Sequence, residues 1–148
     1  MVNAWPALPL IIWMSKPSYN PLLRQEDVTR HVMNITAAFE HRDRISRISC
    51  SRNYHAVTLL SMMQEPLPAL TSLDFVLRGS RIPDSFLGGS APQLRCLRFA
   101  GGSFPALPKL LLSATKLFAL TLNIAPCFGY VSPDAMTNGP SALIRLER

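Results

Sequence analysis

The sequence predicts an α/β fold in which short parallel strands alternate with helices or tight turns. Two observations lead to this prediction: an apolar spacing recurs at nearly constant intervals, and helix-forming stretches lie between its copies. The chain has 148 residues, of which 48% are hydrophobic and 16% are charged. This length is typical of one domain with a core of its own, and the composition argues against a disordered chain.

The recurring spacing is apolar, two residues, apolar, one residue, apolar. Its copies are Ile45, Ile48 and Cys50; Leu70, Leu73 and Phe75; Leu94, Leu97 and Phe99; Leu117, Leu120 and Leu122; and a fifth that starts at Leu143 and Leu146. Their first residues are 25, 24, 23 and 26 positions apart, within the period of leucine-rich repeats. Because side chains of a strand alternate between faces, the last two residues of each copy share one face, and the first turns inward where the strand begins. The spacing therefore predicts a short leucine-rich repeat solenoid, a horseshoe segment with parallel strands on its concave face and helices or short turns on its convex face.

Helix signals fill the intervals between these strands. Residues 103–115 place Leu107, Leu110, Leu111 and Ala114 at helical spacing, and residues 53–64 place Val57, Leu60 and Met63 on one face. Ser132, Pro133 and Asp134 resemble a capped helix start. Residues 82–88 allow only a single short turn.

The first 44 residues do not follow this repeat spacing. Leu8, Ile11 and Trp13 fit the strand template, so we expect them to point into the core. A long helix is predicted over residues 25–41, with Val28, Val32, Ile35 and Phe39 as its apolar stripe. We therefore expect a single domain over 1–148, in which 1–44 form an irregular strand and long helix. Residues 45–148 form about four to five repeats of 23–26 residues, the last one truncated.

Several longer strings carry a resemblance to a known family. They are AAFEHRDRISRI (37–48), MQEPLPALTSLDF (63–75), PDSFLGGSAPQLRCLRF (83–99), FPALPKLLLSATKLFALTL (104–122), GYVSPDAM and SALIRLER. Together they resemble the leucine-rich repeat region of F-box-type proteins from basidiomycete, mushroom-forming fungi, over most of the chain from about residue 37. Residues 5–10 are similar to the segment that precedes the repeats in that family.

The resemblance implies the substrate-recruiting part of a cullin-type ubiquitin ligase subunit. In that family an F-box helical module docks on the ligase adaptor and the repeats hold the target. Here no F-box-like segment precedes the repeats, and the last repeat stops within its strand, so we expect a fragment or truncated gene product. The adaptor is a partner only if an upstream F-box exists. The Asn common at the strand-to-helix turns of such repeats is also missing near Arg78, Gly102 and Ala125, so these turns must satisfy their backbone groups in another way.

No pattern in the sequence indicates an enzyme, a metal site or a cofactor. His31, His41 and His55 lack metal-ligand spacing, and nucleophile-elbow, phosphate-loop and dinucleotide motifs are missing. The charged residues 40–44 fall at the end of the long helix, where basic side chains complement the helix dipole.

The cysteines indicate the compartment. Cys50, Cys96 and Cys127 are widely spaced and odd in number, which favours reduced thiols in the cytoplasm or nucleus. Cys50 is expected in the core, and Cys96 on the outward face is the thiol expected to react with reagents.

The sequence favours a protein-interaction scaffold with an unknown protein target. Solenoids commonly bind on the concave face, and we predict Arg47, Asp74, Arg98 and Arg145 as its partner-binding residues. The outward positions of the repeats from residue 45 onward include no aromatic residue. An equally weighted alternative places the partner on edge loops or on missing repeats.

Two further hypotheses about function remain open. The formal charge of +6 permits a basic solenoid that binds RNA, and the chain could be a gene fragment without independent function. A membrane partner is not expected, because the uncharged stretch from Val2 to Trp13 is too short and too interrupted by proline to span a bilayer.

Overall fold

The computed structural model describes residues 8–14, 25–51, 56–77, 81–123 and 144–145. The fold is α/β: six parallel strands form one sheet whose strand order follows the chain. The strands are β1 (Leu10–Met14), β2 (Ile45–Ser51), β3 (Ser72–Val76), β4 (Cys96–Ala100), β5 (Ala119–Asn123) and β6 (Ile144–Arg145). The helices are α1 (Gln25–Phe39), α2 (Ala56–Met62) and α3 (Leu107–Ser113), with short 3-10 turns at Arg42–Arg44 and Phe86–Gly89.

The register of the sheet stacks the four complete apolar triplets. Ile48 is the Cα partner of Leu73, Leu73 of Leu97, and Leu97 of Leu120. The third residues of the triplets align in the same way, from Cys50 through to Leu122. All twelve side chains are buried, with at most 6% of their surface exposed. The predicted burial of the triplets is confirmed, and the triplets form one continuous core along the sheet.

The helices and 3-10 turns return the chain along the core side of the sheet. In α3 the predicted apolar residues Leu107, Leu110 and Leu111 are buried, as is Ala114 just after the helix. The helix is shorter than the predicted 103–115. Pro108 falls in its first turn, where no intrahelical N–H donor is needed.

The prediction for α2 was partly wrong. The helix covers Ala56–Met62, and Val57, which was expected on the buried face, is 65% exposed. The buried stripe consists of Ala56, Leu59, Leu60 and Met63. These residues have the i, i+3, i+4, i+7 spacing of one helix face, and a residue one position after Ala56 is turned about 100° away from it.

The prediction of which β1 side chains face the core was also wrong. Leu8, Ile11 and Trp13 are 67%, 62% and 78% exposed, while Ile12 and Met14 are buried. The pairing with β2 passes from Leu10↔Ile45 directly to Ile11↔Arg47, so Ser46 has no Cα partner and the register shifts there. This shift aligns Ile12 with Ile48 and Met14 with Cys50, and these neighbours face the core.

Long helix α1 lies between β1 and β2 in the chain, as predicted for residues 25–41, and ends at Phe39. Phe39 is buried, whereas Val32 and Ile35 are only half-buried. The side chain of Val28 and the helix start at Ser132 lie outside the described residues.

A cluster of phenylalanines fills the core between β3, β4 and the return turn Phe86–Gly89. The Phe86 ring lies edge-on to Phe75 at 6.3 Å between centroids and to Phe104 at 5.5 Å, and Phe104 packs on Phe99 at 5.1 Å. The turn is held by backbone bonds from Leu87 N–H to the Met63 carbonyl at 2.7 Å and from Gly88 N–H to the Gln64 carbonyl. The predicted single short turn between β3 and β4 is confirmed.

Just after β3 and β4, next to positions 78 and 102, backbone hydrogen bonds link each strand to the following one. After β3, the Leu77 N–H donates to the Ala100 carbonyl at 2.8 Å, and after β4 the Gly101 N–H donates to the Asn123 carbonyl at 2.8 Å. Gly101 and Gly102 have positive φ values of 78° and 61°, a conformation that glycine adopts without strain. Arg78 and Ala125 lie outside the described residues.

Candidate binding face of the sheet

One face of the parallel sheet is left uncovered by the described helices and turns. Burial alternates along the inner strands: in β3, Leu73 and Phe75 are buried while the residues between and beside them are half-exposed. The same alternation runs through β2, β4 and β5. Parallel sheets usually have both faces buried and carry near-continuous apolar strands. We call the exposed side, formed by the outward positions of β1 to β6, the open face.

The register arranges the open face in rows that cross the strands. The central row consists of Trp13, Ser49, Asp74, Arg98, Thr121 and Arg145. The second row consists of Ile11, Arg47, Ser72, Cys96 and Ala119. Because neighbouring strands lie about 4.8 Å apart, the central row extends about 24 Å across the sheet.

Three of the four predicted partner-binding residues therefore share one row. Asp74 and Arg98 are Cα partners, and Arg145 follows in the same row after Thr121. Only the backbone of Arg145 is described. Arg47 lies in the second row, beside Ser72.

Asp74 and Arg98 form the one ion pair that joins two strands within the described part of the open face. Arg98 Nε lies 4.0 Å from Asp74 Oδ1, and the two side chains are 64% and 40% exposed. Oδ1 itself is shielded from solvent and has no hydrogen-bond partner. A pair this long and this exposed stabilises the fold little. The Arg98 side chain is exposed enough to contact a partner.

Arg47 is the exposed cation of the second row. Its side chain makes no ion pair or hydrogen bond with any residue in the described ranges. An unpaired guanidinium beside an exposed aliphatic side chain, that of Ile11, offers a bidentate donor to a carboxylate next to an apolar contact.

The sequence reasoning missed the apolar end of this face. The exposed Ile11 and Trp13 belong to the second and central rows, so the open face does contain a large aromatic residue. The strand LIIWM is apolar at every position, so its own pattern could not show which alternate set faces the core. The neighbouring β2 decides this through the register.

The charged cluster at residues 40–44 links elements of the structure. Arg42 pairs with Glu65 after α2, and the Arg44 guanidinium donates to the Leu8 carbonyl from Nε at 3.1 Å and from Nη2 at 2.9 Å. These bonds attach the end of α1 to its neighbours on both sides.

Other candidate groups are scattered. His31 and His41 are exposed, and His55 lies outside the described residues. Across the described ranges, no three His, Cys, Asp or Glu side chains come close enough to hold a metal ion. Cys50 is 1% exposed, whereas Cys96 is half-buried in the second row.

Two further findings concern the described helices and the comparison with known proteins. In the ranges described, no helix has the length and apolarity needed to cross a membrane. Comparison with protein-family models, with curated proteins and with solved structures gave no match.

Proposed function

We propose that this chain is a short leucine-rich repeat solenoid that acts as a non-catalytic protein-interaction scaffold and binds its target on the open face. The observation that carries the proposal is a parallel sheet in sequential strand order with one face uncovered. Repeat solenoids have this arrangement, because each unit contacts only its neighbours and contributes one set of outward side chains to a shared surface.

The repeat geometry is supported by the period and by the register together. Units of 23–26 residues fit leucine-rich repeats, and each triplet stacks on the next without a shift from β2 to β5. The returns also differ in length from unit to unit, from the two-turn α3 to the four-residue turn Phe86–Gly89.

The resemblance to F-box-type proteins extends the proposal to substrate recruitment for a ubiquitin ligase. This role requires an F-box module encoded in frame with the repeats. Sequencing the genomic region upstream of the codon for Met1 tests it: an in-frame F-box helical segment supports ligase membership, and a stop codon in that frame contradicts it.

Binding on the open face is tested by charge removal with a matched control. We expect an Arg47→Ser, Arg98→Ser variant to lose partners that the wild-type chain retains from a lysate of its source. The control, Arg30→Ser with Lys109→Ser, removes the same charge from exposed positions on α1 and α3. Retention of the same partner by both double variants contradicts the open-face assignment.

A basic solenoid that binds RNA is the second candidate. The net charge of +6 and the exposed Arg47 favour it, but Arg42 and Arg44 of the charged cluster at residues 40–44 are engaged within the fold. Salt separates the two candidates. RNA affinity falls steeply as salt rises, with a log–log slope near −0.7 for each phosphate contacted on a single strand, whereas a protein partner held by apolar contacts responds weakly.

A further inference from the structure

The outer edge of β1 is the most exposed apolar part of the described chain. No described strand pairs with that edge, and its strand residues Ile11 and Trp13 are 62% and 78% exposed. Edge strands of soluble proteins are usually blunted by charged side chains, proline or mid-strand bulges. LIIWM has no charge and no proline. Pro9 precedes the strand, and the register irregularity lies at the first residue pair of β1. Neither therefore prevents another strand from pairing with the middle of β1.

We propose that this edge is an interface between two copies of the chain, in which the two β1 strands pair antiparallel about a two-fold axis at Ile12. This proposal does not depend on what the open face binds. It extends the sheet from one copy into the next with the open faces on the same side.

The order of side chains in β1 is self-complementary in that arrangement. With Ile12 opposite Ile12 of the second copy, Ile11 lies opposite Trp13 of the second copy, and Trp13 opposite its Ile11. Both pairs stand on the open face, because the paired positions have the same parity. Aromatic side chains opposite β-branched ones are favourable cross-strand pairs. On the core side, Leu10 lies opposite Met14 in the same symmetric way.

The described charges do not oppose the pairing. Among the described residues, the nearest cation on the open face is Arg47, one strand inward from Ile11. Across the paired strands the two Arg47 backbones are about 16 Å apart, from three strand spacings of about 4.8 Å and a two-residue offset. This exceeds the Debye length of about 8 Å at physiological ionic strength, so repulsion between the exposed guanidinium groups is largely screened.

A symmetric contact also closes on itself. Pairing of β1 with the opposite sheet edge of another copy would be heterologous and would build open filaments, whereas the two-fold arrangement stops at a dimer. The interface is small: a tryptophan side chain buries about 150–250 Å², and the two exposed apolar strand residues on each side, Ile11 and Trp13, stay below the roughly 1,200 Å² of a standard interface. The expected dimer is therefore weak and reversible.

The test is sedimentation equilibrium of the full chain over about 1–100 µM, where an interface of this size is expected to dissociate. We expect a monomer–dimer equilibrium for the wild type. Trp13→Lys and Ile11→Lys should each weaken the dimer about tenfold or more, because a lysine on the edge replaces a favourable cross-strand pair. Phe118→Lys and Val57→Lys are the matched controls, since both residues are exposed apolar side chains outside β1, and they should leave the equilibrium unchanged. Far-ultraviolet circular dichroism of each variant checks that it remains folded.

A second variant tests the register. Opposite residues of an antiparallel pair have Cα atoms about 4.5–5.5 Å apart, within the range that a disulfide spans. The double variant Ile11→Cys, Trp13→Cys should form a disulfide between position 11 of one copy and position 13 of the other, identified by mass spectrometry of the oxidised dimer. Trp13→Cys alone should not link position 13 to itself.

Four results overturn the proposal. They are a monomer at every concentration, a dimer that the two lysine variants leave intact, assembly that continues beyond the dimer, and a disulfide that joins position 13 to position 13.

Discussion

The middle of the described sheet and its β1 end use the same residue types differently. In the middle, β3 and β4 bury Leu73, Phe75, Leu97 and Phe99 and are joined by the four-residue turn Phe86–Gly89. At the β1 end the strand buries two residues, exposes Ile11 and Trp13, and connects to β2 through the long helix α1. The comparison shows that an apolar side chain of this sheet is exposed when it lies on the open face, since Ile12 and Met14 of the same edge strand are buried. Four sets of substitutions test the contrast between the two regions, in order of decreasing expected effect.

The largest effect is expected in the middle of the sheet. Phe86→Ala removes a ring that packs on both Phe75 and Phe104, and we expect it to lower the free energy of unfolding by about 3–5 kcal/mol. Trp13→Ala removes a larger ring at the exposed end and should change the free energy of unfolding by less than about 0.5 kcal/mol. Urea unfolding at a concentration where the chain is monomeric measures both. Equal losses would mean that the middle and the β1 end are packed alike.

The same residue type can be compared directly in neighbouring strands. Ile48 and Ile12 are Cα partners, 0% and 7% exposed. Ile48→Ala should destabilise by about 2–5 kcal/mol, and Ile12→Ala by roughly half as much, because Ile12 has a strand on one side only. The exposed Ile11→Ala is the control and should be near neutral. A larger loss at Ile12 than at Ile48 would contradict the comparison.

The short return in the middle depends on glycine. Gly88 has φ +61°, and a Cβ there would lie 2.9 Å from the rigid ring of Pro66. Gly88→Ala should cost about 1–2 kcal/mol from backbone conformation, and the contact with Pro66 adds to this. Gly89→Ala is the matched control: its φ is +72°, but its close contact is the flexible end of Lys109, which can move. The Tm of Gly88→Ala should lie below that of Gly89→Ala, and equal Tm values would show that backbone conformation alone decides.

The smallest effect is expected at the ion pair that attaches the end of α1 to the chain after α2. Arg42 and Glu65 are 34% and 70% exposed, so Glu65→Gln should destabilise by at most about 1 kcal/mol. The loss should shrink at high salt, because exposed pairs are screened. Asp84→Asn breaks the longer and more exposed pair with Arg81 and should be indistinguishable from wild type. An unchanged loss at high salt would show that the Arg42 contact is not electrostatic.

Much of the candidate site could be placed from the sequence because it repeats. Once Leu73 and Leu97 are taken as equivalent, Asp74 and Arg98 must lie side by side, and the register confirms that they do. The same reasoning failed for Trp13, since LIIWM is apolar at every position and does not define its own phase. It also failed for Val57, because Ala56 and Leu59 were not recognised as part of the buried stripe.

The sequence by itself determined the parallel α/β class, the positions of the four complete triplets and the short return between β3 and β4. Periodic apolar residues suffice for these, because each unit can bury its triplet only by stacking on the next. Only the tertiary structure decided which face of β1 is buried. In LIIWM every side chain is apolar, so the hydrophobic effect favours neither alternate set until pairing with β2 is formed. The register, with its shift at Ser46, aligns Ile12 with Ile48 and leaves Ile11 and Trp13 in solvent.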